Sequence, residues 1–304
     1  MIRQLVGILL SGFVVNSAFA AEFELKEGDR VVFLGNTLVE REQKYGYWET
    51  ALTLQSPDRK IIFRNLGWSG DTVFGEARAG FGSPAEGFKQ LRELTLALKP
   101  TVIFIAYGTN ESYEGKAGME KFTKGFETLL AALAPAKARI VLFSPIPHED
   151  AGRPLPDPAK ANENLAIYRD VIKGLAEKHK LHFGDLFELL GAGKETKRDK
   201  PYTDNGMHLT GFGYQQTSNA FLKALGHSES NLTSQSEDER IVKLRAAIVE
   251  KNQLYFYRWR PQNETYLFGF RKQEQGRNAK EIVEFDPLIA DQEKIIDSLK
   301  TSKK

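Results

Sequence analysis

The sequence predicts a three-layer α/β/α sandwich, a five-stranded parallel sheet covered by helices on both faces, with a helical extension at the C-terminus. Three observations carry that expectation. Short apolar runs recur between residues 30 and 183. Stretches with helical periodicity lie between them, and strands alternating with helices favour a parallel sheet. The composition, 41% hydrophobic and 27% charged over 304 residues, is that of an ordinary globular chain long enough to bury a full α/β core.

The elements follow in order. Val31-Val32-Phe33-Leu34, closed by Gly35, has the unbroken apolar character of a strand buried on both faces. Residues 60–63 are a second such run, 101–106 a third, 139–143 a fourth and 181–183 a short fifth. Ser83-Pro84 reads as an N-cap with proline in the first turn, and Phe88, Leu91, Leu94 and Leu98 follow at helix spacing. Met119, Phe122, Phe126, Leu129 and Leu133 repeat the pattern before the fourth strand, and Leu165, Tyr168, Ile172 and Leu175 before the fifth. These elements make one domain over residues 29–226.

An extension occupies residues 227–304. Residues 227–238 are polar and Ser-rich, a linker by composition. Ser236-x-x-Glu239 is a capping box opening a helix with Ile241, Leu244 and Ile248 on one face. The aromatic-rich residues 254–270 read as a packed, irregular segment, and Asp286-Pro287 as the cap of a last helix.

Residues 1–20 read as a secretory signal peptide. Arg3 supplies the positive start, residues 5–15 the apolar stretch and Ala18-Phe19-Ala20 the cleavage site. A membrane helix needs roughly 20 apolar residues, more than this run holds. Cleavage near Ala20/Ala21 leaves a secreted or periplasmic chain with no integral membrane segment. Lys and Arg number 42 against 40 Asp and Glu, with the signs interspersed, so no nucleic-acid partner is implied. The absence of cysteine excludes disulfides, a thiol nucleophile and cysteine-based zinc sites. The five histidines form no H-E-x-x-H pattern. No metal or organic cofactor is implied.

Sheets of this kind bind ligands at the carboxyl ends of their strands. Four loops there hold the groups that acyl transfer needs: a hydroxyl, an imidazole, a group to orient it and donors for an oxyanion. They are Gly35-Asn36-Thr37-Leu38, the loop over residues 65–72 with Ser69-Gly70-Asp71-Thr72, then Gly108-Thr109-Asn110-Glu111, and Asp204-Asn205-Gly206-Met207-His208-Leu209-Thr210.

In order and placement these segments resemble the four blocks of the SGNH (GDSL-type) hydrolase superfamily, over roughly residues 30–226. The resemblance implies a flavodoxin-like SGNH hydrolase fold. It puts Gly70 and Asn110 on the oxyanion-hole positions, His208 on the catalytic histidine and Thr37 on the nucleophile. Two positions depart from the family. Gly35-Asn36-Thr37 replaces Gly-Asp-Ser, and Asn205 stands where the acid belongs, three residues before His208, with Asp204 one place earlier.

Alternatives stay open at several positions. Thr37 is also a good N-cap for the helix after strand one. His208 can be oriented by Asp204, Asn205, Glu111 or a backbone carbonyl. His148, at the end of strand four, and Glu111 are candidate substrate contacts. The function implied by the resemblance is an exported carboxylic-ester hydrolase acting on an acylated carbohydrate or another small ester. The departures support a different expectation, a non-catalytic binding protein that retains the pocket. A scaffold role carried by the extension is the third.

Overall fold

A computed structural model describes residues 22–193, 200–228 and 238–301. The expected signal peptide and Ser236 lie outside the described residues. The elements run β1 (Arg30–Gly35), α1 (Thr37–Tyr45), α2 (Tyr47–Gln55), β2 (Ile62–Asn65), α3 (Pro84–Ala97), β3 (Val102–Ala106), α4 (Met119–Leu133), β4 (Arg139–Phe143), α5 (Ala159–His179), β5 (His182–Gly184), α6 (Leu186–Leu189) and α7 (Gly211–Ala224). The extension adds α8 (Glu239–Trp259), α9 (Glu264–Leu267), α10 (Lys272–Gln275) and α11 (Phe285–Leu299). All five strands are parallel, in the order β2-β1-β3-β4-β5. The predicted sandwich is therefore the observed one.

Side chains alternate across a strand, and that alternation divides the core in two. Val31, Phe33, Phe63, Phe104 and Phe143 enter the layer covered by α1, α2 and α7. Val32, Leu34, Ile103, Ile105 and Leu142 face α3, α4 and α5. Each fully buried aliphatic or aromatic side chain is worth roughly 1.5–3 kcal/mol, so both faces hold the helices firmly. Trp48 of α2 stacks on Phe221 of α7 at 4.5 Å, and its indole N–H donates to Thr217 Oγ1.

Four local expectations are corrected. Strand β2 lies two residues later than the apolar run, because the Lys60 N–H donates to Glu27 and the ladder begins only at Ile62. Arg64 and Asn65 are tolerated there because β2 is an edge strand; Arg64 pairs with Glu293 and lies over the Tyr255 ring. Residues 254–259 are not irregular. They continue α8, with Tyr255 and Trp259 one turn apart on the face toward the domain, and the helix stops just before Pro261. The side chain capping α8 is Asp238, which accepts from the N–H groups of Arg240 and Ile241. Asp286 is not the cap of α11: the helix already begins at Phe285, and Asp286 pairs with Arg258.

The extension packs on the β2 side of the domain, α8 against α1, α2 and β2, and α11 against α8. A buried ion pair fixes it there, Lys251 to Glu49, and Asn252 Nδ2 donates to the same carboxylate at 3.0 Å. Among the described residues no helix is long and apolar enough to cross a membrane.

The strand order reverses between β1 and β3, and the crevice at that point is where such sheets take ligands. The two strands come very close here. A Cβ on Gly35 would lie 2.5 Å from the Ala106 carbonyl oxygen and 2.6 Å from Val39 Cγ2, so only glycine fits.

Candidate active site

Strand β1 ends at Gly35 and α1 starts at Thr37, so the turn between them presents Asn36 and Thr37 at the sheet edge. Asn36, not Thr37, is the helix cap: its Oδ1 accepts the Leu38 N–H at 3.1 Å. Thr37 is the first helical residue, half-buried, and its hydroxyl is not engaged in capping. Instead Thr37 Oγ1 accepts the backbone N–H of Gly70 at 3.3 Å. Gly70 has φ of +78°, a left-handed conformation that turns its N–H toward the hydroxyl, although a Cβ there would meet nothing within 4 Å. Backbone conformation, not space, calls for glycine.

The loop that carries Gly70 is pinned to the first turn of α1. Asn65 Nδ2 donates to the Val39 carbonyl, and a Cβ on Gly67 would fall 2.3 Å from the Glu40 nitrogen. The Ser69 N–H and hydroxyl both donate to the Glu40 carboxylate, at 2.7 and 3.0 Å. Beneath it, Asp71 and Arg78 form an ion pair with both side chains fully buried, and the Tyr107 hydroxyl donates to Asp71.

Asn110 follows β3 and donates from Nδ2 to the Asp71 carbonyl at 2.8 Å. That bond sets its amide beside the Gly70 loop and leaves the second N–H of the same nitrogen. Glu111 is differently placed from the sequence expectation. Its two oxygens accept the N–H groups of Val73 and Gly108, both at 2.9 Å, and the residue is 6% exposed. It ties the loops after β2 and β3 together and turns no oxygen toward a substrate or toward His208. Burial pushes its carboxyl up to about 7, against the pull of those N–H groups.

The His208 loop is closed by a bridge between Thr203 and Leu209 and by the Asp204 N–H donating to the His208 carbonyl. Glu149, after β4, holds it through the N–H groups of Tyr202 and Thr203. Of the candidate orienting groups, Asn205 is the one that touches the ring: its Nδ2 lies 3.0 Å from His208 Nδ1. Asn205 Oδ1 accepts the N–H groups of Met207 at 3.1 Å and His208 at 2.9 Å, which fixes the amide's orientation. Nδ2 can only donate, so His208 Nδ1 accepts, and the neutral ring carries its proton on Nε2.

Asp204 points elsewhere, to Arg41 of α1 at 2.6 Å, and Arg41 holds its carboxyl below the ordinary range. Burial first, and then Arg41, pull the His208 imidazolium below its ordinary range, with Asp204 opposing. The Arg41–Asp204 pair and the Tyr214 hydroxyl on the Leu38 carbonyl bring this loop and α7 to the start of α1. Among the described residues no hydrogen bond joins His208 to Thr37.

His148 is 8% exposed, its backbone held at both ends by the Asn162 amide. Its Nε2 is buried without a hydrogen-bond partner, and burial and then His208 lower its pKa. The Tyr113 ring lies 6.5 Å away, and the Tyr113 hydroxyl donates to the Met207 sulfur. His148 also borders a cavity of 430 Å³, whose walls include neither Thr37 nor His208. Among the described residues no group of three His, Asp or Glu side chains is placed to hold a metal ion.

Sequence patterns did not single out Arg41, Glu40 or Trp68. Glu40 had a signal, its position three residues after Thr37 on one helix face. Arg41 had none, since its partner is 163 residues away.

The switch point of the parallel five-stranded sheet thus holds a hydroxyl, a glycine N–H and an asparagine amide, with the His208 loop tied to the start of α1 through Arg41. Residues 32–216, more than half of the chain, match the GDSL-like lipase/acylhydrolase family, and the chain belongs to that family. No curated protein matches it. Among solved structures it resembles LAE5, an α/β hydrolase from the metagenome of Lake Arreo, Spain, at 19% identity and a TM-score of 0.52, over 66% of this chain and 97% of that one. It also resembles Axe2, an acetylxylan esterase from Geobacillus stearothermophilus, at 18% identity and a TM-score of 0.51, over 67% of this chain and 96% of that one. At these identities the likeness is one of fold.

Proposed function

We propose that the protein is an exported ester hydrolase in which Thr37 is the nucleophile. The observation that carries this is the Gly70 N–H on Thr37 Oγ1, which puts a backbone donor beside the attacking oxygen, where the carbonyl oxygen of an ester under attack would take it over. His208 takes the Thr37 proton, and Oγ1 attacks the ester carbonyl. Gly70 and the second N–H of Asn110 Nδ2 receive the oxyanion. The alcohol leaves with the proton from His208, and water then frees the acyl group by the same steps. The family supports ester hydrolysis. An acylated carbohydrate as substrate is supported by the acetylxylan esterase among the fold neighbours, and export by the signal-like residues 1–20. His148, near enough to His208 to feel its charge, is the side chain we place at the edge of the substrate site.

Asn205 sets the pace. As a base, His208 needs Nε2 free, which requires the proton on Nδ1 and an acceptor beside it. Turning the Asn205 amide supplies Oδ1 but breaks its bonds to the Met207 and His208 N–H groups, at roughly 0.5–1.5 kcal/mol each. Turnover is therefore slow. The same observation favours a second reading. With Nε2–H, Thr37 O–H and Gly70 N–H all donating, the site suits the carbonyl or carboxylate of a bound ligand that is not cleaved.

Prolonged incubation with a fluorophosphonate probe separates the two. A hydrolase gives one adduct, on Thr37, which disappears in Thr37→Ala. A binder stays unlabelled while acetate still shifts its Gly70 amide resonance.

A further inference from the structure

The extension reaches the oxyanion loop at the end of α8, through Trp259 and Arg260. Arg260 follows α8 directly, and α8 is locked onto α2 by the buried Lys251–Glu49 pair. Its Nη1 donates to Glu40 at 2.9 Å, and its guanidinium lies 3.5 Å from the centroid of the Trp68 ring. Trp259 meets the same ring edge-on at 5.8 Å, and Arg78 flanks it at 5.4 Å.

Both contacts of Arg260 bear on the oxyanion loop. Trp68, Ser69 and Gly70 are consecutive. The Trp68 N–H donates to the Gly35 carbonyl, Ser69 is held by Glu40, and Gly70 donates to Thr37. Thr37 and Glu40 lie three residues apart on one helix face. The register that seats Ser69 on Glu40 is thus the register that seats Gly70 on Thr37. On its far side Gly70 is followed by Asp71, anchored by Arg78, Tyr107 and Asn110, so the Trp68–Ser69 side is the one on which Arg260 acts.

We infer that Arg260 is a positioning residue, through which the C-terminal extension completes the oxyanion loop of the site. This rests on the hydrolase reading above. Two effects combine. Stacking on Trp68 fixes the loop from outside. Pairing with Glu40 neutralises a carboxylate one turn from the nucleophile, where an unpaired negative charge would oppose the developing oxyanion. A loop displaced by about 1 Å costs on the order of 10²-fold in rate.

The test uses the full chain labelled with ¹⁵N-glycine, the Gly70 amide being assigned by its loss in Gly70→Ala. In Arg260→Ala the Gly70 resonance is expected to move, while that of Gly108, held by buried Glu111, stays in place. With p-nitrophenyl acetate, kcat is expected to fall at least about tenfold with KM within about twofold, and Arg260→Lys, which keeps the pair with Glu40, to recover most of it. Arg260→Gln serves if the alanine variant does not fold. A folded variant whose Gly70 amide is unmoved, or whose kcat is unchanged, overturns the inference. If the wild-type protein cleaves no ester, the hydrolase reading fails, and the amide alone decides whether Arg260 positions Gly70.

Discussion

Asn205 donates to His208 Nδ1 over 3.0 Å, and this contact decides which ring nitrogen carries the proton. In a hydrolase triad a carboxylate at that position accepts from Nδ1–H and leaves Nε2 free to act as the base. Here the polarity is reversed. The carboxylate one place earlier, Asp204, cannot correct it, because Arg41 already engages it.

In the proposed mechanism the acid limit of activity follows from the burial of His208, with Arg41 adding to it. Burial and the Arg41 cation keep His208 neutral at pH values where a free imidazole would be protonated. Arg41→Gln removes the cation and releases the Asp204 carboxylate, and both changes favour the imidazolium. The acid limb of kcat/KM is expected below the ordinary histidine value of 6.5 in the wild type and at higher pH in the variant. A limb that stays in place means that His208 is not the group titrating.

Glu111 makes stability depend on pH. Its folded pKa, raised by burial from 4.5 to about 7, makes the native state bind the proton more tightly than the unfolded chain does. Its contribution is therefore complete below about pH 4.5 and is lost as pH rises through about 7, by roughly 3 kcal/mol. Glutamine at this position has one acceptor for two N–H groups and starts about 1–3 kcal/mol less stable at pH 5. Urea unfolding from pH 5 to 8 should show the wild type declining toward Glu111→Gln. Parallel curves would mean that Glu111 does not titrate in this range.

Much of this site is written in local sequence. The apolar runs place β1, β3, β4 and β5 to within a residue or two, and the loops after β1, β2 and β3 carry Thr37, Gly70 and Asn110. What the sequence withholds is of two kinds. In the first, adjacent residues of similar chemistry compete for the same role. Asn36 and Thr37 both suit a helix cap, and Asp204 and Asn205 both suit the histidine. One residue of register decides each case. The second kind is long-range. Arg41 meets Asp204, Arg64 meets Glu293 and Arg260 meets Glu40 across more than 160 residues, and no periodicity announces such pairs.

Thr37 is tested by two substitutions. Asn36 supplies the cap, so neither Thr37→Ser nor Thr37→Ala should change stability by more than about 0.5–1 kcal/mol. Thr37→Ser removes the methyl that crowds the attacking oxygen, and kcat is expected to hold or rise. Thr37→Ala is expected to abolish turnover. Thermal midpoints and kcat measured together check both points. An active alanine variant removes Thr37 from the chemistry.

A competent acyl-transfer site is, in this reading, restrained by the tautomer that Asn205 imposes. Asn205→Asp addresses that restraint directly. The carboxylate accepts the same two backbone N–H groups with one oxygen and His208 Nδ1–H with the other, leaving Nε2 to receive the Thr37 proton. The opposite exchange in a serine-protease triad costs roughly 10⁴ in kcat. The decisive measurement is kcat on p-nitrophenyl acetate for wild type and Asn205→Asp. A rise of about 10–10²-fold is expected, the cost of turning the Asn205 amide read as a rate, and it should be lost again when Thr37→Ala is added. A folded Asn205→Asp protein with unchanged or lower kcat would contradict the restraint.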